Sequence, residues 1–322
     1  MRALVMEDSL QLRRDHPVPR PCEGEALVRV LMCGICSTDH ELVRGYMGYR
    51  GVLGHEFVGI VEEAADEDWM GRRVVGEINC GCGTCADCLV GDPRHCARRT
   101  VLGIVGRDGV FADRVALPVR NLHAVPDAVS TEDATFVEPV AAAFEILEQV
   151  HLRPTDRVLV LGDGKLGLLT AQVLALTQCE LTLVGRHAPK LDLARAEGLQ
   201  AMTIDQWTSL SRGPCDVVVD CTGSADGLRL AMEHVRPRGT LVLKTTVVDS
   251  STVYMAPLVV KEIRVVGSRC GPFAPALRAL ARGLVKVAPL VSATHDLDDG
   301  VEAFRVSQER GVVKVLLRVA AI

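Results

Sequence analysis

The chain has 322 residues, 48% of them hydrophobic, and its 36 basic and 41 acidic side chains give a net charge of −5. This length is typical of about two domains, and the apolar content excludes disordered and collagen-like proteins. Because no basic run is present, the charge indicates neither nucleic acid nor an anionic membrane as a partner, which favours a small molecule.

The N-terminal residues meet acidic side chains at Glu7 and Asp8 before any apolar stretch long enough for a signal peptide. No run of 18 apolar residues occurs later, so no membrane span is indicated. We therefore expect a cytoplasmic protein that acts on a small molecule.

The first 125 residues contain short β-branched segments at 26–30, 57–61 and 73–76, with proline and glycine between them. That pattern is typical of an irregular β-barrel. The first 96 residues also hold eight of the twelve cysteines. Since a large intracellular protein keeps its thiols reduced, clustered cysteines indicate metal binding more than disulfides.

Four of these cysteines form a compact cluster, Cys82, Cys85, Cys88 and Cys96. Glycines within the segment allow a tight fold that could direct four sulfurs at one tetrahedral ion. Such a closed sulfur shell leaves no open position, so the site should be structural and hold zinc. The alternatives are reduced core thiols and an iron–sulfur cluster.

A second, mixed set of possible metal ligands consists of Cys36, His55, Glu56 and Glu138. Mixed protein ligands with an exchangeable position are what a catalytic zinc needs to polarise a substrate oxygen. Taken singly, Cys36 could be a core thiol, His55 a turn residue and Glu138 an acid at a helix N-terminus. Cys33 and Cys36 could also form a redox pair, although no thioredoxin-like unit follows them.

From about residue 155 the pattern changes to apolar strands that alternate with helices, as in a parallel sheet with crossover helices. The predicted strands are 157–161, 181–184, 201–204, 216–221, 240–245 and 263–267, and the predicted helices are 165–176, 189–197 and 225–235. Six strands are the number in a dinucleotide-binding sheet. A helix at 274–283 then leads to a last strand at 312–319, which we expect to return to the N-terminal domain.

Residues 162–167 read Gly-Asp-Gly-Lys-Leu-Gly between a predicted strand and a predicted helix. In this context the glycine pattern indicates a dinucleotide site, with the helix N-terminus facing the pyrophosphate. The loop residues assigned to the cofactor are Gly162, Gly164, Lys165, Leu166 and Gly167. A tight turn without a ligand is the alternative.

The end of the second strand of this unit indicates the choice of cofactor. An acid that would hold the ribose 2′-hydroxyl is expected there, but the chain has Gly185 and Arg186, with Lys190 one turn later. A small residue and a cation suit a 2′-phosphate and favour NADP(H) over NAD(H). The alternative is that Arg186 is only a solvated surface charge.

Together these motifs resemble the medium-chain zinc-dependent alcohol dehydrogenase superfamily. The resemblance rests on residues 34–39, residues 54–56, the four-cysteine cluster, Glu138 with Pro139, the glycine loop and residues 220–223. With Glu138 the chain most resembles the sorbitol, threonine and related polyol dehydrogenases, which carry a glutamate where the common alcohol dehydrogenases carry a second cysteine ligand. The resemblance implies an α/β architecture, with a GroES-like β-barrel catalytic domain, a Rossmann dinucleotide-binding domain and an active-site cleft between them.

The implied domains are a GroES-like catalytic domain with a zinc lobe at 1–145, a Rossmann domain at 146–272 and a C-terminal return to the catalytic domain at 273–322. The resemblance implies two zinc ions per chain, one catalytic and one structural, and a homodimer or homotetramer. It makes Cys36 and His55 catalytic zinc ligands, and Glu56 and Glu138 either ligands or close neighbours of the ion.

In the same comparison Thr38 would hydrogen-bond the substrate oxygen, and Cys221 and Thr222 would belong to the cofactor site. The family commonly places a histidine five residues after the zinc cysteine to finish a proton relay. Here that position is Glu41, and His40 precedes it. The chain is also shorter than many relatives, so loops that shape the substrate pocket or the subunit interface could be missing.

The hypothesis from the sequence is reversible oxidation of a secondary alcohol, namely a polyol, sugar or amino alcohol, with NADP(H). The alternatives are an NAD(H)-dependent version of the same reaction and a zinc-independent enone or quinone reductase. A third alternative is a zinc lobe that serves only as an interaction module.

Overall fold

The protein is described by a computed structural model that covers residues 1–210, 212–244 and 253–320. Its first compact unit comprises the described residues of Met1–Glu138, Leu280–Arg282 and Val291–Ile322. Its second comprises those of Pro139–Ala279 and Gly283–Leu290. The domain limits predicted at residues 145 and 272 stay predictions.

The first part of the chain consists of short strands. In chain order they are β1 (Ala3–Met6), β2 (Leu10–Arg13), β3 (Glu25–Gly34), β4 (Gly51–Val52), β5 (Glu56–Glu63), β6 (Arg73–Gly76), β7 (Asn79–Cys80), β8 (Thr100–Leu102), β9 (Gly106–Arg107), β10 (Arg114–Pro118) and β11 (Leu122–Ala124). The helices of this part are α1 (Ser37–Val43), α2 (Ala86–Leu89) and α3 (Thr131–Ala134).

The middle of the chain alternates strands and helices. The strands are β12 (Arg157–Leu161), β13 (Glu180–Gly185), β14 (Ala201–Thr203), β15 (Cys215–Asp220), β16 (Val235–Leu243) and β17 (Arg264–Gly267). The helices are α4 (Val137–Gln149), α5 (Lys165–Ala175), α6 (Ala188–Ala196), α7 (Ile204–Ser209), α8 (Ala225–His234) and α9 (Ala256–Val260). The chain continues with α10 (Phe273–Ala281), β18 (Val291–Asp296), α11 (Gly300–Val306) and β19 (Lys314–Arg318).

The second unit has a six-stranded parallel sheet in the order β14-β13-β12-β15-β16-β17. Counted along the chain this order is 3-2-1-4-5-6, the arrangement of a Rossmann fold. The central strand β12 has apolar residues buried on both faces, because helices cover both sides of such a sheet. The predicted α/β fold with a dinucleotide-binding sheet is confirmed.

The first unit is built on mostly antiparallel sheets. The largest runs in the order β11-β6-β5-β3-β19-β18, and β10 also pairs with β3. The last strand, β19, lies antiparallel to β3, with Leu316 opposite Gly34. The C-terminal strand therefore returns to the N-terminal sheet, as its position outside the α/β repeat predicted.

Several strands differ in length from the sequence prediction, and two of them show the largest differences. The strand predicted at 26–30 extends over Glu25–Gly34 because β5, β10 and β19 all pair with it. The strand predicted at 240–245 begins at Val235, and an irregularity in its pairing with β15 accommodates Pro237. The end predicted for it at Thr245 lies outside the described residues. In the described part of the chain no helix combines the length and the apolar character needed to span a bilayer.

Candidate metal centres and dinucleotide site

The four-cysteine cluster lies in the loop that follows β7. The ligand atoms of Cys82, Cys85, Cys88 and Cys96 all lie within 4.8 Å of one another. Cys85 caps the N-terminus of α2, and Gly83 has a positive φ of 79° that favours glycine. A Cβ at Gly81 would lie 2.8 Å from Sγ of Cys88, so the glycine allows the close approach.

The chemistry of this cluster fits a metal. Hydrogen bonds from Thr84 lower the pKa of the Cys82 thiol to about 5, which favours the thiolate that metals bind. At Cys85 a backbone hydrogen bond from Cys88 acts in the same direction, but desolvation and hydrogen bonds with the other three thiols raise the pKa to about 11. The backbone N–H of Cys82 donates to Sγ of Cys96 at 3.4 Å, and Arg98 donates to Sγ of Cys82 at 3.2 Å. Cys80 is buried outside the cluster, where the Asn121 amide faces its sulfur. Four sulfur donors of this kind suit zinc in a closed structural site.

The mixed-ligand set is assembled by strand pairing in the first unit. Cys36 follows β3, Glu56 begins β5, and Gly34 lies opposite Glu56 in the register of these strands. The ligand atoms of Cys36, His55 and Glu56 consequently lie within 4.8 Å of one another. Gly54 turns the chain before His55 with a φ of 95°, and a Cβ there would lie 2.5 Å from the Phe111 ring.

Asp39 supports this set from α1. Its Oδ2 accepts a hydrogen bond from the Cys36 backbone at 2.8 Å, and its Oδ1 lies 3.3 Å from Nδ1 of His55, out of line for a hydrogen bond. Burial opposes the imidazolium, but Asp39 and Cys36 outweigh it and raise the pKa of His55 well above its ordinary value. A carboxylate charge beside Nδ1 favours the N–H at that nitrogen and leaves the other ring nitrogen for a metal.

Lys314 contacts the same set from β19. Its ammonium forms an ion pair with Oε2 of Glu56 and donates to the Ile35 carbonyl at 3.0 Å. Burial lowers the pKa of Lys314 to about 8, although Cys36 and Asp39 oppose that shift. A Cβ at Gly34 would overlap the lysine side chain, so this glycine provides the path for it.

Thr38 lies on α1 beside the mixed-ligand set, with Oγ1 3.9 Å from Sγ of Cys36. Glu138 is half-buried at the second position of α4 and is not part of the group whose ligand atoms lie within 4.8 Å. The two residues near the expected relay position have other partners. His40 lies 3.0 Å from Oγ of Ser307, and Glu41 pairs with Arg44 at 2.8 Å.

The donors of the mixed set fit a zinc ion. A thiol, an imidazole and a carboxylate are all zinc ligands, and His55 and Glu56 are buried polar side chains directed at one point. Asp39 and Lys314 were not predicted from the sequence as members of this site. A lysine inside the apolar segment 312–319 was the available signal for the second of them.

The glycine loop connects β12 to α5 in the second unit. Gly162 has a φ of 111°, and a Cβ there would lie 2.6 Å from the carbonyl oxygen of Cys221. Gly164 caps the N-terminus of α5, and nothing lies within 4 Å of its Cβ position. An open glycine at a helix N-terminus is a cradle that fits a pyrophosphate.

The other residues assigned to the cofactor surround this loop. Lys165 and Leu166 begin α5, and Gly167 lies so close to the Gly162 carbonyl that a Cβ would overlap it. Cys221 and Thr222 follow β15, where Oγ1 of Thr222 donates to Oδ1 of Asp220 at 2.7 Å. All of them lie at or beyond the carboxyl ends of the central strands, where ligands bind in this kind of sheet.

Gly185 ends β13, and Arg186 follows it with an exposed side chain. Lys190 is half-buried on α6. The backbone N–H groups of Arg186 and His187 donate to Oδ2 of Asp163 at 2.7 and 2.5 Å. The space beside Gly185 is therefore filled by the Asp163 side chain, which the sequence interpretation had not anticipated.

Family models match both units. The model of the alcohol dehydrogenase GroES-like domain matches residues 22–127, and that of the zinc-binding dehydrogenase matches residues 166–283. The two matched segments together span more than half of the chain.

Individual relatives match along nearly the whole chain. Sorbitol dehydrogenase of Halalkalibacterium halodurans is 27% identical and covers 94% of each chain. Two solved structures each cover 99% of both chains: a short chain alcohol dehydrogenase (rspB) from Escherichia coli CFT073 with NADH, at TM-score 0.90 and 26% identity, and a zinc-binding dehydrogenase from Sinorhizobium meliloti 1021 with NADP, at TM-score 0.88 and 28% identity. The chain thus belongs to the medium-chain zinc-dependent alcohol dehydrogenase superfamily, in its polyol dehydrogenase-like branch.

Proposed function

We propose that this protein catalyses reversible hydride transfer between a secondary alcohol and NADP(H) at a zinc site. The observation that carries the proposal is the convergence of Cys36, His55 and Glu56 within 4.8 Å, next to the buried Asp39. The substrate class is a polyol, sugar or amino alcohol. The relationship to sorbitol dehydrogenase supports the polyol.

The proposed site residues have different roles in this reaction. Cys36 and His55 hold the catalytic zinc, and Glu56 and Glu138 are ligands or close neighbours of it. When bound, zinc supplies Lewis acidity that lowers the pKa of the alcohol, and the nicotinamide takes the hydride. Thr38 hydrogen-bonds the substrate oxygen and relays its proton: the hydroxyl takes the proton of the alcohol as it passes its own proton on to water. The position of this hydroxyl beside Cys36 supports the role. Cys82, Cys85, Cys88 and Cys96 hold a second, structural zinc.

The glycine loop binds the cofactor through Gly162, Gly164, Lys165, Leu166 and Gly167, with Cys221 and Thr222 beside it. Arg186 and Lys190 are the proposed cations for the 2′-phosphate, and Gly185 leaves no acid at the strand end to select NAD(H). The NADP-bound relative supports this choice. NAD(H) is the second candidate, because Asp163 places a carboxylate beside Gly185 and another relative was solved with NADH.

The family also supports a homodimer or homotetramer located in the cytoplasm. Sedimentation equilibrium tests the assembly, and a fluorescent fusion of the full chain tests the location. A monomer, or an extracytoplasmic signal, would contradict these two expectations.

The function itself is tested with the purified, zinc-loaded protein. A panel of polyols, sugars and amino alcohols is supplied with NADP, and the formation of NADPH is followed by its absorbance. We expect a polyol to give the highest kcat/KM and NADP to exceed NAD. Turnover of enones or quinones alone, unaffected by removing the zinc, would support the reductase alternative and contradict the proposal.

A further inference from the structure

Asp163 connects two parts of the dinucleotide site. It is the second residue of the glycine loop and only 7% exposed. Its Oδ2 accepts from the backbone N–H groups of Arg186 and His187, and its two oxygens lie 3.1 and 3.2 Å from Nδ1 of His187. The Asp163 carboxylate thus connects the glycine loop to the turn between β13 and α6.

The fit between Asp163 and Gly185 is steric. A Cβ at Gly185 would lie 2.4 Å from Cβ of Asp163 and 2.5 Å from its Oδ2. Real Cβ atoms do not approach so closely, so residue 185 can carry no side chain while Asp163 is in place. The strand end therefore excludes the acid that would hold a ribose 2′-hydroxyl.

The acceptor capacity of Asp163 is largely used by its own chain. Two backbone N–H groups and an imidazole surround the carboxylate, which makes it a brace for the turn more than a ribose ligand. Arg186 lies in this turn, and its side chain is exposed to solvent. An exposed guanidinium presents donors that can serve an anion such as a 2′-phosphate.

We infer that Asp163 determines cofactor selectivity as a positioning residue, because it holds Arg186 at the 2′-phosphate and prevents an acid at position 185. This inference rests on the proposed use of NADP(H) and assigns its selectivity to a residue outside the strand end. Removal of the carboxylate should then weaken the binding of NADPH. The binding of NADH should stay nearly unchanged, since NADH has no 2′-phosphate.

The test is equilibrium binding, measured by isothermal titration calorimetry with NADPH and NADH. The wild type should bind NADPH more tightly. Asp163→Ala should lower the affinity for NADPH by about tenfold, which is the scale of one charge-assisted hydrogen bond. The affinity for NADH should change less than threefold. Asp163→Asn keeps an oxygen acceptor for the two N–H groups and should retain most of the selectivity. Asp192→Ala, which removes an exposed acid on α6, is the matched control.

A second variant moves the carboxylate. Asp163→Gly combined with Gly185→Asp removes the steric conflict and restores an acid at the strand end, so NADH should become the tighter ligand. Equal weakening of both cofactors by Asp163→Ala would indicate a merely structural role and overturn the inference. Tighter NADPH binding by Asp163→Asn would also overturn it, because the carboxylate would then oppose the phosphate.

The two proposals fail in different measurements. A wild type that prefers NADH contradicts the proposed cofactor. A ratio of NADPH to NADH affinity that stays unchanged in Asp163→Ala and in the double variant contradicts the role of Asp163, whatever the wild type prefers.

Discussion

The Lys314 ammonium lies against the Glu56 carboxylate, and both side chains are fully buried although 258 residues separate them in the chain. The pairing of β19 with β3 brings the lysine to the metal set. The C-terminal strand thereby contributes a charge to a site whose three convergent ligands, Cys36, His55 and Glu56, lie within 21 residues of the chain.

Removal of the lysine should expose the cost of burying Glu56. Lys314→Met leaves a buried carboxylate without its cation, which we expect to destabilise the protein by about 3–5 kcal/mol. Urea unfolding of the zinc-free protein measures this loss. The double variant Lys314→Met with Glu56→Gln should recover much of the lost stability. A free energy of unfolding of Lys314→Met alone within about 1 kcal/mol of the wild type would contradict the importance of the pair.

Asp39 should control the affinity of the catalytic metal. Asp39→Asn keeps an oxygen for the Cys36 N–H but removes the negative charge beside His55, so zinc affinity at this site should fall about 10–100-fold. Competition with a chelator measures it. Asp108→Asn, which removes the charge beside Nε2 of the half-buried His16, is the control and should leave the affinity unchanged. Unaltered affinity in Asp39→Asn would refute the orienting role.

The four-cysteine cluster should stabilise the fold without serving catalysis directly. Cys96→Ser removes a fully buried ligand, and we expect one zinc to be lost and Tm to fall by several degrees. Metal analysis and calorimetry measure the two effects. Cys80→Ala is the matched control, since Cys80 is buried outside the cluster. Retention of both zinc ions by Cys96→Ser would show that the cluster does not bind one.

Thiol reactivity should separate the cysteines that the proposed metal sites leave over. Among the cysteines outside the proposed metal sites, Cys22 is exposed. Burial raises the pKa of Cys215 to about 11 and that of Cys221 to about 12, which keeps both protonated at neutral pH. N-ethylmaleimide should therefore label Cys22 first in the zinc-loaded protein, as mass spectrometry can show. Labelling of Cys221 before Cys22 would contradict this order.

The features that the sequence predicted are those carried by local spacing. The four cysteines are brought together within 15 residues, and the glycine loop has its expected place between β12 and α5. The alternation of strands and helices predicted a parallel sheet with crossover helices and six strands, whereas the order of those strands came from the structure. Local chemistry and local pattern agree in these regions, so one segment can be interpreted without the others.

The features that the sequence did not predict depend on distant segments. Lys314 reaches Glu56 only through the pairing of β19, and a single lysine in an apolar strand gives no indication of its partner. Asp163 fills the space beside Gly185 because β12 and β13 are neighbours in the sheet. The glycine alone suggested an empty space, since the sequence does not show which neighbouring side chain enters it.

The number of zinc ions bound per chain distinguishes a protein with a catalytic metal site from one with a structural zinc alone. Plasma mass spectrometry of the wild type should give two zinc ions per chain. Cys36→Ser should retain one, keep the folded circular dichroism spectrum and lose alcohol-dependent reduction of NADP. A single zinc in the wild type, or full activity in Cys36→Ser, would contradict the proposed catalytic zinc at Cys36.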